Sequence, residues 1–299
     1  MGARLSYIPF TVCIPTYLGG ASLVRAVESI RASEGVRSFR IIVAVDGQPL
    51  SDSVARQLRA FDVDIVCSKQ RGGQVARIKQ MVAMVDTELT VLTQDDIRFH
   101  KLALAHLVRA FADDQHLTMV GANVLPEPAK TLFERVVEVG VAIGHHAGKQ
   151  WRGADNYLLA SGRCLVLRTG ALQKFVLPEE IINSDAYLYF ENKRRGGTFR
   201  YHDQAIVYNK SPLRVSEHIK QAKKFDYSKA ELARYFGEGI GADYVVPRRL
   251  LMSALWFEFR RRPLHTLLYG GLQLYTRLQP NQFIGAKRFW DTDTSTKRI

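Results

Sequence analysis

Apolar residues fall in short blocks along most of the chain, and the spacing within them switches between two periods. Tyr7–Ile14, Phe39–Val45, Val63–Cys67 and Leu89–Leu92 are continuous, β-branched-rich runs. Runs of this length predict strands buried on both faces. Between them the period lengthens to that of a helix. Leu23, Val27 and Ile30 share one face of a helix over Ala21–Ser33, with Ser22 as its expected cap. Ser51–Ala60 predicts a second helix. Gly72-Gly73 opens a third that runs to Val85, with Val75, Ile78, Val82 and Val85 turned inward. Strands alternating with helices predict βαβ units, hence an α/β fold with a mostly parallel central sheet flanked by helices.

The alternation continues less regularly. Lys101–Phe111, Thr131–Ile143 and Ser184–Arg195 read as helices. Leu117–Val124, Tyr157–Arg168 (interrupted at Ser161-Gly162) and Phe199–Tyr208 read as strands. From Val215 onward only helical patterns remain. Arg248–Arg262 encloses the apolar block LLMSALWFEF between arginines, and Pro263 starts a second apolar segment. These patterns predict two regions, an α/β domain over 1–212 and a basic, amphipathic helical tail over 213–299.

Charge sharpens that division. The chain of 299 residues carries a net charge of +13. Residues 193–299 hold 21 Lys/Arg against 9 Asp/Glu, whereas 1–192 hold 21 against 20. Aromatic and aliphatic residues bracketed by arginine suit helices lying in an anionic headgroup layer. A helical hairpin packed on the sheet is the other reading of the same pattern. No uncharged run reaches the roughly 18 residues of a spanning helix, and the N-terminus lacks the apolar core of a signal peptide. Arginine-rich arms, zinc-ligand spacings and an aromatic single-strand motif are lacking, so no nucleic-acid partner is expected. The three cysteines, Cys13, Cys67 and Cys164, lie in strand-like runs, predicting reduced, buried thiols.

The candidate chemistry gathers where strands end. Asp46 follows the second run, and Asp95 and Asp96 follow the fourth. In open α/β sheets, ligands bind at the carboxyl ends of strands. Two adjacent acids there suit a hard divalent cation beside a phosphate, although an acidic surface turn would look the same. The glycines at 72–73 open a helix whose amino end favours an anion. Arg71, Arg77 and Lys79 lie close enough in sequence to neutralise a diphosphate. Asp185 at a helix start is either a general base or a complement to the helix dipole. His202 reads as structural more readily than as a ligand, and so does the His145-His146 pair.

Taken in order, these pieces resemble the family 2 glycosyltransferases, which have the GT-A, Rossmann-like fold. The matching stretches are VCIPTY (Val12–Tyr17), IIVAVDG (Ile41–Gly47), RGGQVARIK (Arg71–Lys79), LTQDD (Leu92–Asp96), SGRCLVLR (Ser161–Arg168), NSDAYLYF (Asn183–Phe190), GGTFRYHDQAIVY (Gly196–Tyr208) and QAKKF (Gln221–Phe225). The resemblance implies that Pro15, Thr16 and Tyr17 line the nucleotide base pocket and that Asp46 holds base or ribose. It places Gly73 and Arg77 near base and diphosphate, Asp95 on a Mg²⁺ or Mn²⁺ ion, and Asp96 at the donor sugar. Asp185 falls at the catalytic base. Gln221, Lys224 and Phe225 fall on the Gln-x-x-Arg-Trp element of membrane-bound synthases, which contacts donor diphosphate and acceptor.

The chain departs from the pattern at four places. Thr93 replaces the first acid of Asp-x-Asp, Ser184 replaces the glutamate of the Glu-Asp pair, Asn209 replaces a histidine ligand, and Lys224-Phe225 replace Arg-Trp. The resemblance still implies inverting transfer from a nucleotide-sugar, expected to be a UDP-sugar, to a lipid-linked or cell-envelope glycan. The expected location is the cytoplasmic face of a membrane. Two other readings stand beside it. A nucleotidyltransferase of similar architecture would release pyrophosphate, and a non-catalytic membrane-binding protein would turn nothing over.

Overall fold

The structure is a computed structural model that describes residues 8–280. The expected strand start at Tyr7 and the part of the tail over 281–299 lie outside the described residues. The four apolar runs form β1 (Phe10–Thr16), β2 (Arg40–Asp46), β3 (Val63–Ser68) and β4 (Leu89–Thr93). Helices α1 (Ala21–Arg31), α2 (Asp52–Ala60) and α3 (Gly73–Val82) make the crossovers between them. β1 lies between β2 and β4, and the β1–β2, β1–β4 and β2–β3 pairs are all parallel. Asp46 and the Asp95 turn therefore open on one carboxyl edge, although β2 and β4 are not the neighbours expected.

The rest of the sheet comes from β5 (Ile97–Phe99), β6 (Leu117–Pro126), β7 (Cys164–Arg168) and β8 (Thr198–Asn209). The full order is β3-β2-β1-β4-β7-β6-β8-β5. β7 runs antiparallel to both β4 and β6, and β5 antiparallel to β8, so the sheet is mixed. Between these strands lie α4 (Ala103–Asp113), α5 (Leu132–Gln150), α6 (Thr169–Leu172) and α7 (Ser184–Arg194). Only Cys164–Arg168 of the expected strand over Tyr157–Arg168 is a strand; the residues before Ser161-Gly162 lie outside the sheet. Gly20 rather than Ser22 caps α1, and no side chain bonds there.

Residues alternate between two cores. Val12, Ile14, Ile41, Val43 and Val45 pack with α1 and α4 on one face. Cys13, Ile42, Ala44, Leu92 and Leu165 pack with α3 and α7 on the other. Each valine, leucine or isoleucine among them contributes about 1.5–3 kcal/mol by leaving water, which explains why these strands carry no polar alternation. Cys13 and Cys164 are buried, and burial pushes the Cys13 thiol up to about 12. Cys67 departs from expectation: its side chain is exposed near the end of edge strand β3.

The tail is helical throughout its described part: α8 (Val215–Phe236), α9 (Ile240–Tyr244), α10 (Arg248–Arg261) and α11 (Pro263–Leu278). α10 and α11 pack on α5. Gly140 of α5 gives the Tyr269 ring room that any Cβ would fill. Gln273 donates to Tyr269 Oη at 2.7 Å, and Arg262 pairs with Glu258 at 2.6 Å. These two helices are turned inside out. They bury Ala254, Glu258, Thr266 and Thr276. They expose Met252, Trp256, Leu264, Leu267, Leu274 and Leu278, with Trp256 at 61% and Leu278 at 75% exposure. No helix among the described residues is long and apolar enough to cross a membrane.

Candidate active site

The carboxyl edge of β1, β2 and β4 is built around two buried carboxylates. Asp46 ends β2 and takes the amino end of α3. Its Oδ1 accepts from Gly72 N at 2.7 Å and its Oδ2 from Gly73 N at 3.0 Å. Arg77, one turn into the helix, places Nε 3.3 Å from Oδ1. Gly73 has φ +83°, a left-handed conformation that a side chain would strain. Across this junction the Arg71 guanidinium lies 3.8 Å over the Tyr17 ring. Tyr17, Asp46, Arg71, Gly73 and Arg77 thus lie together at one junction, whereas Lys79 does not. Pro15 sits just inside them, within β1 beside Ala44.

Asp95 is the second carboxylate. Thr16 Oγ1 donates to its Oδ2 at 2.5 Å, and Gly19 N donates to Thr16 Oγ1 at 3.1 Å. Thr16 is buried, so its hydroxyl orients Asp95 instead of opening toward a base. Asp96, the next residue, is half-buried. Thr93, buried at the end of β4, donates to the Arg163 carbonyl at 2.7 Å. An aspartate there would face that carbonyl with like charge.

Asp185 sits in the first turn of α7, which Asn183 caps through Ala186 N. Asp185 Oδ2 accepts from Gly162 N at 2.9 Å. Gly162 is adjacent to Arg163, whose carbonyl holds Thr93, so one short segment ties Asp185 to the end of β4. From the other side, buried Glu231 of α8 accepts from Ile182 N at 3.0 Å and from Asn183 N at 3.3 Å. Burial raises the Glu231 carboxyl above its ordinary range, against the pull of those two amides and of Lys224. Tyr244 is buried beside this junction. Burial first, and the Asp185 charge after it, push its hydroxyl up to about 12. Tyr244 Oη donates to the Phe225 carbonyl at 3.3 Å, which sets the stretch bearing Gln221, Lys224 and Phe225 alongside Asp185. The Phe225 side chain itself is 50% exposed.

Other candidates lie elsewhere. Lys79 pairs with Glu179 at 3.6 Å on the surface. His145 bonds the Tyr201 hydroxyl at 2.6 Å. The His202 ring lies tilted against that of His106, with centroids 5.3 Å apart, and burial lowers its pKa. Arg163, Glu231 and Tyr244 escaped the sequence reading. Glycine and arginine before a strand were the available signal for Arg163. Glu231 reads as one solvated acid in a basic helix.

Among the described residues no three His, Cys, Asp or Glu side chains converge as a metal cage. The donor set at the edge is Asp95, fixed by Thr16, followed by Asp96. That set fits a cation such as Mg²⁺, which keeps several waters and takes other ligands from a substrate phosphate.

The fold and the motifs have counterparts. No curated protein sequence matches the chain. The mannosyltransferase PcManGT from Pyrobaculum calidifontis, solved with GDP-Man and Mn²⁺, superposes with a TM-score of 0.58 at 15% identity, over 93% of this chain and 78% of its own. Mannosyl-3-phosphoglycerate synthase from Rubrobacter xylanophilus gives 0.56 at 10% identity, over 77% and 75%. Glucosyl-3-phosphoglycerate synthase from Mycobacterium tuberculosis, with Mn²⁺, UDP and glucosyl-3-phosphoglycerate, gives 0.52 at 14%, over 76% and 79%. At such identities the likeness is one of fold, the GT-A architecture. The family described as "Glycosyltransferase like family 2" matches residues 8–224, from β1 to Lys224 of the QAKKF segment. The chain therefore belongs to the family 2 glycosyltransferases, enzymes that draw on nucleotide-sugar donors.

Proposed function

We propose that this enzyme moves a sugar, with inversion, from a UDP-sugar to a hydroxyl of a lipid-linked or cell-envelope glycan at the cytoplasmic face of a membrane. The observation that carries the reading is the tie between the two carboxylate sites. Gly162 N holds Asp185, and the neighbouring Arg163 carbonyl holds the end of β4 that leads to Asp95. A base and a leaving-group site fixed through one segment suit a single displacement.

In that displacement Tyr17, Asp46 and Gly73 seat the nucleoside, and Arg77 supports Asp46 and the diphosphate side of the pocket. Asp96 faces the sugar. Asp185 takes the proton of the acceptor hydroxyl as its oxygen bonds to the anomeric carbon. The bond from that carbon to the diphosphate oxygen breaks on the opposite face, and the electron pair leaves with the nucleoside diphosphate. Asp95 would hold a Mg²⁺ or Mn²⁺ ion, which would supply charge neutralisation at the leaving group. Gln221 and Lys224 reach the diphosphate and acceptor from α8, and Phe225 offers an apolar surface beside them.

The inside-out tail supports the membrane part of the reading. Exposed Trp256, Leu264, Leu267 and Leu278 lie among Arg248, Arg249, Arg260 and Arg277, a pairing that favours an anionic headgroup layer. The test of the catalytic reading is incubation with a panel of nucleotide-sugars, with and without Mg²⁺. Release of nucleoside diphosphate supports glycosyl transfer. Release of pyrophosphate from a nucleoside triphosphate and sugar phosphate identifies a nucleotidyltransferase instead.

A further inference from the structure

The two positions where the family pattern leads one to look for further metal ligands, Thr93 and Asn209, both serve the same neighbour. Thr93 Oγ1 donates to the Arg163 carbonyl, and Thr93 is the β4 partner of Cys164, the residue after Arg163. Asn209 lies across the acidic turn, paired with Ile97 at the β5–β8 contact. With its amide turned to satisfy both neighbours, Asn209 donates to the Leu125 carbonyl at 3.3 Å and accepts from Arg163 Nε at 3.3 Å. Arg163 is thus bonded through its backbone to Thr93, just before Gln94-Asp95-Asp96, and through its guanidinium to Asn209, the strand partner of Ile97 just after them.

We infer that Arg163 is a diphosphate-binding residue, a permanent protein cation that takes over part of the charge neutralisation a fuller metal cage would supply. The inference rests on the reading that the donor diphosphate lies over Asp95. Arginine is charged at every accessible pH and presents its donors in a planar fork that matches phosphate oxygens. Asn209 engages only Nε, which leaves the two terminal nitrogens for a ligand. Among the described residues Arg163 forms no ion pair, and it is half-buried, as a cation waiting for an anion in a cleft should be. A cation anchored at both ends also needs little reorganisation when charge develops on the leaving group. The chain then depends on a divalent ion less than a cage of three protein ligands would.

The test measures binding, not turnover. UDP, GDP and inorganic pyrophosphate are titrated into the full chain by calorimetry, in Mg²⁺ and in EDTA. The wild type is expected to lose less than about tenfold in affinity when Mg²⁺ is removed. Arg163→Ala is expected to lose a further tenfold or more in EDTA, the scale of a charge-assisted hydrogen bond. Arg163→Lys recovers part of that loss, and Asn209→Ala, which frees the guanidinium, gives a smaller loss. Thermal unfolding of each variant without ligand separates binding from folding. Wild-type affinity for all three probes in Arg163→Ala under EDTA overturns the inference alone. A wild type that binds none of them in either condition overturns it together with the diphosphate site it rests on.

Discussion

Asp46→Ala removes the group that joins β2 to the amino end of α3. The carboxylate is 4% exposed and accepts from Gly72 N at 2.7 Å and Gly73 N at 3.0 Å. It also faces Arg77 Nε at 3.3 Å, on a side chain only 11% exposed. Alanine leaves two amides without this acceptor, each costing about 1–3 kcal/mol if water cannot replace it. It also strands a buried guanidinium, which costs about 3–5 kcal/mol. These losses fall on one network and do not add, so we expect about 4 kcal/mol in all. At roughly 2–4 °C per kcal/mol for a chain of this size, Tm falls by about 8–16 °C. Asp46→Asn keeps one acceptor and loses about half as much. Thermal unfolding at low and high salt measures both. Because the pair is buried, the loss persists in high salt, where a surface pair would be screened. A Tm change under about 2 °C, or a loss that salt abolishes, refutes the idea that Asp46 is an internal brace as well as a nucleoside contact.

Three further outcomes follow from the same geometry. Glu231→Ala removes the acceptor of the Ile182 and Asn183 amides, so the turn bearing Asp185 shifts. The kcat falls about tenfold while the donor KM holds, and a wild-type kcat would sink the positioning role. Replacing Trp256 and Leu267 together by glutamate leaves Tm unchanged, because they are 61% and 64% exposed, and weakens flotation with phosphatidylglycerol vesicles. Unchanged flotation removes this face from membrane contact. Burial lowers the His145 pKa to about 4, so the folded state binds fewer protons than the unfolded state between there and the ordinary value of 6.5. Stability is then present above 6.5 and lost as pH falls toward 4. Tm should drop over that window, and His145→Gln should flatten the drop.

The first four strands and their crossovers were legible because each is a short β-branched run that must be buried on both sides. Asp46, Asp95 and the glycines at 72–73 were legible for a related reason, since they punctuate those runs at one edge. The second half was harder to read. β5 is only Ile97–Phe99, too short for any period to register, and it is held by β8. β7 looks like any other apolar run, and only tertiary pairing makes it antiparallel. α5 continues past Ile143 through Gly144 to Gln150 because α10 and α11 cover it. The exposure of Cys67 comes from β3 being an edge strand, which composition does not encode. Thr93 and Asn209 stood out in the sequence as departures from a pattern. Their common partner, Arg163, needed coordinates.

The most direct measurement is glycosyl transfer to a hydroxyl acceptor by Asp185→Asn, read as nucleoside diphosphate release at saturating donor. Asparagine keeps an oxygen for Gly162 N, so the loop and the donor site stay in place. The account predicts a kcat lower by about 10²–10⁴-fold, with UDP binding unchanged. Transfer at the wild-type rate would contradict the assignment of Asp185 as the base and, with it, the single-displacement mechanism.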